Sequence, residues 1–137
     1  MSKSDYLEGK VLDHVLGATV FTAPATVYFA LYSATPGDAG GGTELATGTS
    51  PGYARVAVTN NATNFPAASA GAKTVGVDVV FPVNTSGGAA WLAAVAWAIL
   101  DASTGGNFLL WAPMVSLACP NAEAITIPAG TTIWTED

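Results

Sequence analysis

The sequence predicts a mainly β protein, a β-sandwich or small β-barrel of six to seven or more short strands, with a short N-terminal α-helix. Three observations carry this reading. Apolar residues alternate with a period of two in most stretches after Pro24, glycine- and proline-rich turns separate those stretches, and a period near four is confined to the start of the chain. At 137 residues the chain is the size of one compact domain, so residues 1–137 are expected to form a single unit, with a helix in 1–17 and a β-domain over 25–135.

The helix comes first. Leu7, Val11 and Val15 recur at a spacing of four among Lys3, Asp5, Glu8, Lys10 and Asp13. Ser2 followed by Asp5 makes a capping-box-like start, and Gly17 stands where a left-handed C-terminal cap belongs. Gly9 works against the helix, at a cost of about 1 kcal/mol in an interior position.

The strands follow. In Ala25 to Tyr32, Val27, Phe29 and Leu31 alternate with Tyr28, Ala30 and Tyr32, so both faces are bulky and the strand should be central or lie between the sheet core and a neighbouring layer. Tyr53 to Val58 and Thr74 to Phe81 repeat the alternation, the second with Val75, Val77, Val79 and Phe81 on one side. Ala89 to Leu100 admits two readings. Its alanines favour a helix, whereas Trp91, Ala93, Val95, Trp97 and Ile99 share one face of a strand. We read it as a strand bracketed by turns at Gly87-Gly88 and Ser103 to Gly106. Asn107 to Met114 is then its hairpin partner, closed by Pro113. Ala124 to Ile127 and Thr131 to Thr135 flank Pro128-Ala-Gly130 and read as a C-terminal hairpin. Thr35 to Gly52 and Thr59 to Ala72 exceed the usual hairpin connection and read as contact surfaces or mobile arms.

Composition narrows the classes of function. Only 10% of residues are charged, against roughly 25% in an ordinary soluble domain, and mean hydropathy is positive. Such a surface suits a chain covered by neighbours, because charge is depleted at interface cores. No uninterrupted apolar run approaches the ~18 residues of a membrane span, so no membrane partner is expected. The opening MSKSDYLEGK lacks the apolar core of a secretion signal. A net charge of −6 with dispersed cations disfavours direct nucleic-acid binding. Cys119 is the only cysteine, which leaves no internal disulfide or multi-cysteine zinc site, and reads as a buried apolar residue. The sequons at Asn61 and Asn84 read as ordinary loop residues.

The search for chemistry centres on TPGDAGGGTEL, Thr35 to Leu45. A phosphate-binding loop needs Gly-x4-Gly followed by lysine. Gly37 and Gly42 have that spacing, but Thr43 stands in the lysine position and Asp38 and Glu44 would repel a phosphate. The run also leads toward a strand rather than the helix a dinucleotide turn requires. Asp38 and Glu44 could form a carboxylate pair or bind Ca²⁺, yet the alternating oxygen ligands of a calcium loop are missing, and a solvated loop is the preferred role for both. His14 lacks a partner nucleophile and reads as a solvated residue near a helix end. Asp78, inside a valine-rich strand, should face solvent or pair with Arg55 or Lys73. Trp91, Trp97, Trp111 and Trp134 could form a carbohydrate-stacking platform, but three lie in apolar strands, which favours core or subunit interface. No enzymatic activity, cofactor or metal is expected.

The order SDYLEGKVLDHVLG, ATVYFALYSATPGDAGGGTEL, GYARVAV, VVFPVNTSGGAAW and ITIPAGTTIW resembles a family of small tailed-bacteriophage virion proteins, some labelled tail-fibre-like and some similar ones decorating capsids. The resemblance covers most of the chain and is most specific over LYSATPGDAGGGTEL and GYARVAV. It implies a virion structural protein made in the host cytoplasm. The leading expectation is a head decoration or cement protein that binds the outer capsid as an oligomer. Its partners would be the major capsid protein and copies of itself, a trimer by similarity to decoration proteins. The alternatives are a tail or tail-fibre component bound to tail proteins, and a carbohydrate-binding module for host attachment. Candidate interface residues are Leu7, Val11 and Val15 on the helix and Thr35, Pro36, Asp38, Glu44 and Leu45 in the glycine-rich stretch.

Overall fold

The computed structural model describes residues 2–136. In chain order its elements are β1 (Ser2–Lys3), α1 (Asp5–Leu16), β2 (Thr26–Ala34), β3 (Thr43–Glu44), β4 (Val56–Thr59), β5 (Ala72–Thr74), β6 (Val79–Val80), β7 (Ala94–Leu100), β8 (Phe108–Leu117), β9 (Thr126–Ile127) and β10 (Thr132–Thr135). The principal sheet runs β1-β8-β7-β2-β3, with β4 beside the first half of β2, and every pairing in it is antiparallel. Its path is open at both ends, so the mainly β class with one short helix stands and the barrel alternative does not.

β2 and β7 occupy the centre because both of their faces can be buried. Phe29 lies opposite Ile99 and Leu31 opposite Trp97, and these four join the main core. On the other face Ala30 pairs with Ala98 and Tyr32 with Ala96, forming a second cluster with Leu100 that Phe108 and Trp111 flank. The alanines that could have favoured a helix are flat positions beneath those larger rings. Strand structure begins only at Ala94. Trp91, before it, packs edge-on against Tyr53 at 5.8 Å and donates its indole N–H to the Pro51 carbonyl at 2.8 Å.

β8 continues through Pro113 to Leu117, beyond the expected stop. The Ser4 N–H donates to the Leu109 carbonyl at 3.0 Å, which turns the backbone polar groups of Leu109, Trp111 and, by the same alternation, Pro113 toward the β1 side. Among the described residues β1 pairs only with Leu110 and Trp111. The N–H that Pro113 lacks therefore falls on an edge where no ladder bond is lost.

The C-terminal hairpin is a second correction. β10 pairs with β5 and β9 with β6, and Thr74↔Thr132 and Val79↔Ile127 share one register. The two ribbons are thus the ends of a single antiparallel pairing between residues 72–80 and 126–135. Pro128 to Thr131 interrupts it as a bulge in which Gly130 takes φ +84°. Asp78 holds that bulge by accepting the Ala129 N–H at 2.8 Å, in place of an ion pair with Arg55 or Lys73. The pairing turns Val75, Val79, Ile125, Ile127 and Ile133 into the core.

The helix cap falls two residues later than expected. Ser2 belongs to β1, and Ser4 is the N-cap, its hydroxyl accepting the Leu7 N–H at 3.2 Å. Gly17 has φ −114°, so it is no left-handed cap. Positive φ falls on Ala18, and what Gly17 provides is close approach, since a Cβ there would sit 2.9 Å from the Asp13 carbonyl oxygen.

Candidate functional site

Thr35 to Leu45 folds back as a strap over the second face of the sheet rather than running as a free connector. Gly37 and Gly40 exchange backbone hydrogen bonds at 3.0 and 2.9 Å, closing a tight turn that lays Gly40 on the Phe108 ring; a Cβ there would be 3.3 Å from that ring. At the tip of the turn, Asp38 accepts the Ser2 hydroxyl at 2.6 Å and the Trp111 indole N–H at 3.1 Å. Its carbonyl accepts the Asp5 N–H at 3.0 Å. The Ser2 bond first, and the Trp111 bond after it, hold the Asp38 carboxyl below its ordinary pKa. Asp38 therefore ties the strap to β1, to β8 and to the start of the helix.

Glu44 anchors the other end. Arg55 grips it with Nε at 2.8 Å and Nη2 at 2.7 Å, a two-point contact that suits a planar guanidinium. The Tyr53 hydroxyl donates to Glu44 at 2.9 Å and accepts the Leu31 N–H at 3.0 Å. The remaining Arg55 nitrogen, Nη1, donates to the Ala102 and Gly105 carbonyls at 2.7 and 2.8 Å, fixing the β7–β8 turn. Burial, ahead of every other cause, pushes the Tyr53 hydroxyl far above its usual pKa. Burial and then the Glu44 charge raise Tyr32 to about 12, and the Glu44 hydrogen bonds raise Arg55. Glu44 departs from the solvated-loop role expected for it, being half-buried and held by Arg55 and Tyr53, whereas Asp38 is exposed in its loop as expected, with its carboxylate also bonded to Ser2 and Trp111.

The candidate interface residues separate accordingly. Leu7 and Leu45 lie in the main core, Pro36 is buried and Val11 is half-buried. Thr35 and Val15 are exposed. Two residues that the spacing of four passed over are exposed as well: Leu12 is 61% exposed and Leu16 85%. They repeat at i and i+4 on a stripe turned away from Leu7, so the signal was present in the sequence but belonged to a second apolar face.

The remaining chemistry-bearing residues are mostly structural. His14 is exposed at the helix end, its Nδ1 accepting the Phe21 N–H at 3.3 Å. Cys119 is buried, and that burial raises its thiol pKa. Asn84 is buried too, its amide donating to the Ala89 and Cys119 carbonyls at 2.9 and 2.8 Å, a role unlike that of a loop sequon. Trp91 and Trp97 are core residues while Trp111 and Trp134 are half-buried, so the four tryptophans do not share one platform. Among the described residues no group of His, Cys, Asp or Glu could hold a metal ion, and no helix is long and apolar enough to cross a membrane.

An apolar concavity lies beside the helix. A pocket of about 170 Å³ opens between the start of α1 and the β5–β10 ribbon, lined by Phe21, Pro24, Val27, Ile133 and Trp134, with Asn60 and Lys73 as its polar members. Lys3 pairs with Glu136 at 2.8 Å and Arg55 with Glu44, whereas Lys73 has no carboxylate within salt-bridge distance among the described residues.

No curated protein matches the chain. A family model described as "Podophage GP4 fiber I protein gp80" matches residues 2–135. The match takes in the strap, its anchors and both ribbons, and on it the chain belongs to this family of phage tail-fibre structural proteins.

Proposed function

We propose that the protein is a non-enzymatic structural component of a phage tail fibre, held on the virion by contacts with other tail or fibre proteins. The observation that carries this reading is the family match over residues 2–135, which favours the tail-fibre alternative over capsid decoration. The site geometry is consistent with it, because the most conspicuous polar groups are engaged within the fold: Glu44, Tyr53 and Arg55 bond to one another and to the backbone, and Asp38 to Ser2 and Trp111. What the surface offers instead is little charge and isolated apolar side chains, which suits contact with neighbours. Immunogold labelling of intact particles with an antibody to this chain tests the reading. Gold confined to the tail is expected, and gold spread evenly over the head would restore the decoration alternative.

A further inference from the structure

We propose that the protein associates head to tail with a second copy of itself, the apolar tip of α1 in one copy entering the pocket between Trp134 and Lys73 in the next. This goes beyond the tail-fibre reading and rests on it only for the setting in which such contacts would recur.

The tip is a knob with a charge beside it. Leu12 and Leu16 share one helix stripe, with Val15 alongside at 68% exposure. Asp13, three residues before Leu16, is exposed, and its carboxylate has no hydrogen-bond or ion-pair partner among the described residues. α1 is held to the body through Leu7 and Val11, and residues 12–16 at its end are exposed.

The pocket is its complement in size and in charge. At about 170 Å³ it is close to the apolar cavities of roughly 150 Å³ that accept a benzene ring, and smaller than the ~300–1,000 Å³ of ordinary small-molecule sites. One or two aliphatic side chains would fill it. A sugar would find few hydrogen-bonding groups there. Lys73 supplies a cation to its lining with no carboxylate within salt-bridge distance among the described residues. An apolar side chain flanked by a carboxylate satisfies both features, and Leu16 with Asp13 provides that combination on this same chain.

The contact must be made between copies. Leu7 of α1 already lines the pocket, and Leu16 lies roughly 13 Å further along the same helix at 1.5 Å per residue, pointing away from the body. Knob and pocket are different surfaces, so the interface is heterologous. It leaves one of each free at the ends and propagates into a ring or filament. A few side chains bury far less than the ~1,200 Å² of a stable pair. A single contact is therefore weak, and repetition supplies its strength.

Sedimentation velocity on the full chain over a concentration series tests this. The wild type should associate reversibly. Leu12→Gln/Leu16→Gln, at exposed positions that leave the circular dichroism unchanged, and Lys73→Glu should each weaken association about tenfold or more. Exchanging the charges in Asp13→Lys/Lys73→Glu should restore it. Mixing the two single-surface variants should give dimers and nothing longer, since one retains a pocket and the other a knob. A wild-type monomer throughout the series overturns the proposal, as does association indifferent to both variants or a charge exchange no better than Lys73→Glu alone. Any of these three failures would leave the gold-labelling result on the tail untouched.

Discussion

Removing the charge of Glu44 while keeping its shape, as Glu44→Gln does, should destabilise the fold by about 2–3 kcal/mol. The structure sets the magnitude. The Arg55 side chain is 9% exposed and that of Glu44 26%, so the pair lies between a surface ion pair, worth about 0–1 kcal/mol, and a fully buried one, whose loss on removing one partner costs about 3–5 kcal/mol. The two-point geometry and the Tyr53 hydroxyl that also depends on Glu44 place it toward the upper part of that range. Arg55 would keep its bonds to Ala102 and Gly105 and lose its counter-charge. Urea unfolding followed by tryptophan fluorescence reads this directly, and thermal unfolding should show a Tm lower by roughly 5–12 °C for a chain of this size. Arg55→Met should cost a similar amount. The double variant should cost less than the sum of the singles by at least about 1 kcal/mol, because neither charge is then stranded. A loss below about 0.5 kcal/mol for Glu44→Gln, or strict additivity of the two changes, would refute the account of this network as the anchor of the strap.

Other changes should act in stated directions. Gly9→Ala should stabilise by about 0.5–1 kcal/mol, since a methyl there meets nothing within 4 Å and replaces the least favourable non-proline helix residue; urea midpoints measure it. Gly42→Ala should destabilise by more than about 1 kcal/mol, because Gly42 has φ +74° and its Cβ would lie 2.5 Å from the Ala34 carbonyl oxygen. Alkaline pH should unfold the protein by ionising tyrosine. Tyr32 is raised from 10.0 to about 12, so its contribution is complete below pH ~10 and is lost as pH rises toward 12. A stability profile flat from pH ~9 to ~12 would contradict this assignment.

The strands that carry the core were legible because their period of two is a direct consequence of burial on a pleated sheet, as in β2, where Val27, Phe29 and Leu31 face one way and Ala30 and Tyr32 the other. What escaped depends on pairing across long sequence separations. Pro128-Ala-Gly130 has turn chemistry that is equally compatible with a hairpin and with a bulge, and only the register of residues 72–80 against 126–135 decides between them. Pro113 signals a strand end unless the neighbouring edge is empty, which depends on how short β1 is. Glu44 and Arg55 belong to the separate loop–strand regions that flank β2, and nothing local announces that they meet. The helix shows the same limit at smaller scale. Leu7 and Leu12 are both apolar on one helix, and which face meets the body is set by the sheet beneath it.

The resemblance most specific to LYSATPGDAGGGTEL and GYARVAV acquires a physical meaning in the structure. Leu31, Asp38, Glu44, Tyr53 and Arg55, which supply the strap and its anchors, all lie within those two stretches. The glycines between them allow the chain to turn tightly and lie against Phe108. That pattern specifies a fold rather than a reaction, which explains how a stretch resembling a phosphate loop belongs to a structural protein.

The central claim is that this chain serves on the tail, and its copy number per particle tests that most directly. Mass-spectrometric quantification of purified virions against the major shell subunit should return a number comparable to that of the other tail proteins. A number comparable to the shell subunit itself would contradict the tail-fibre account and place the chain on the head.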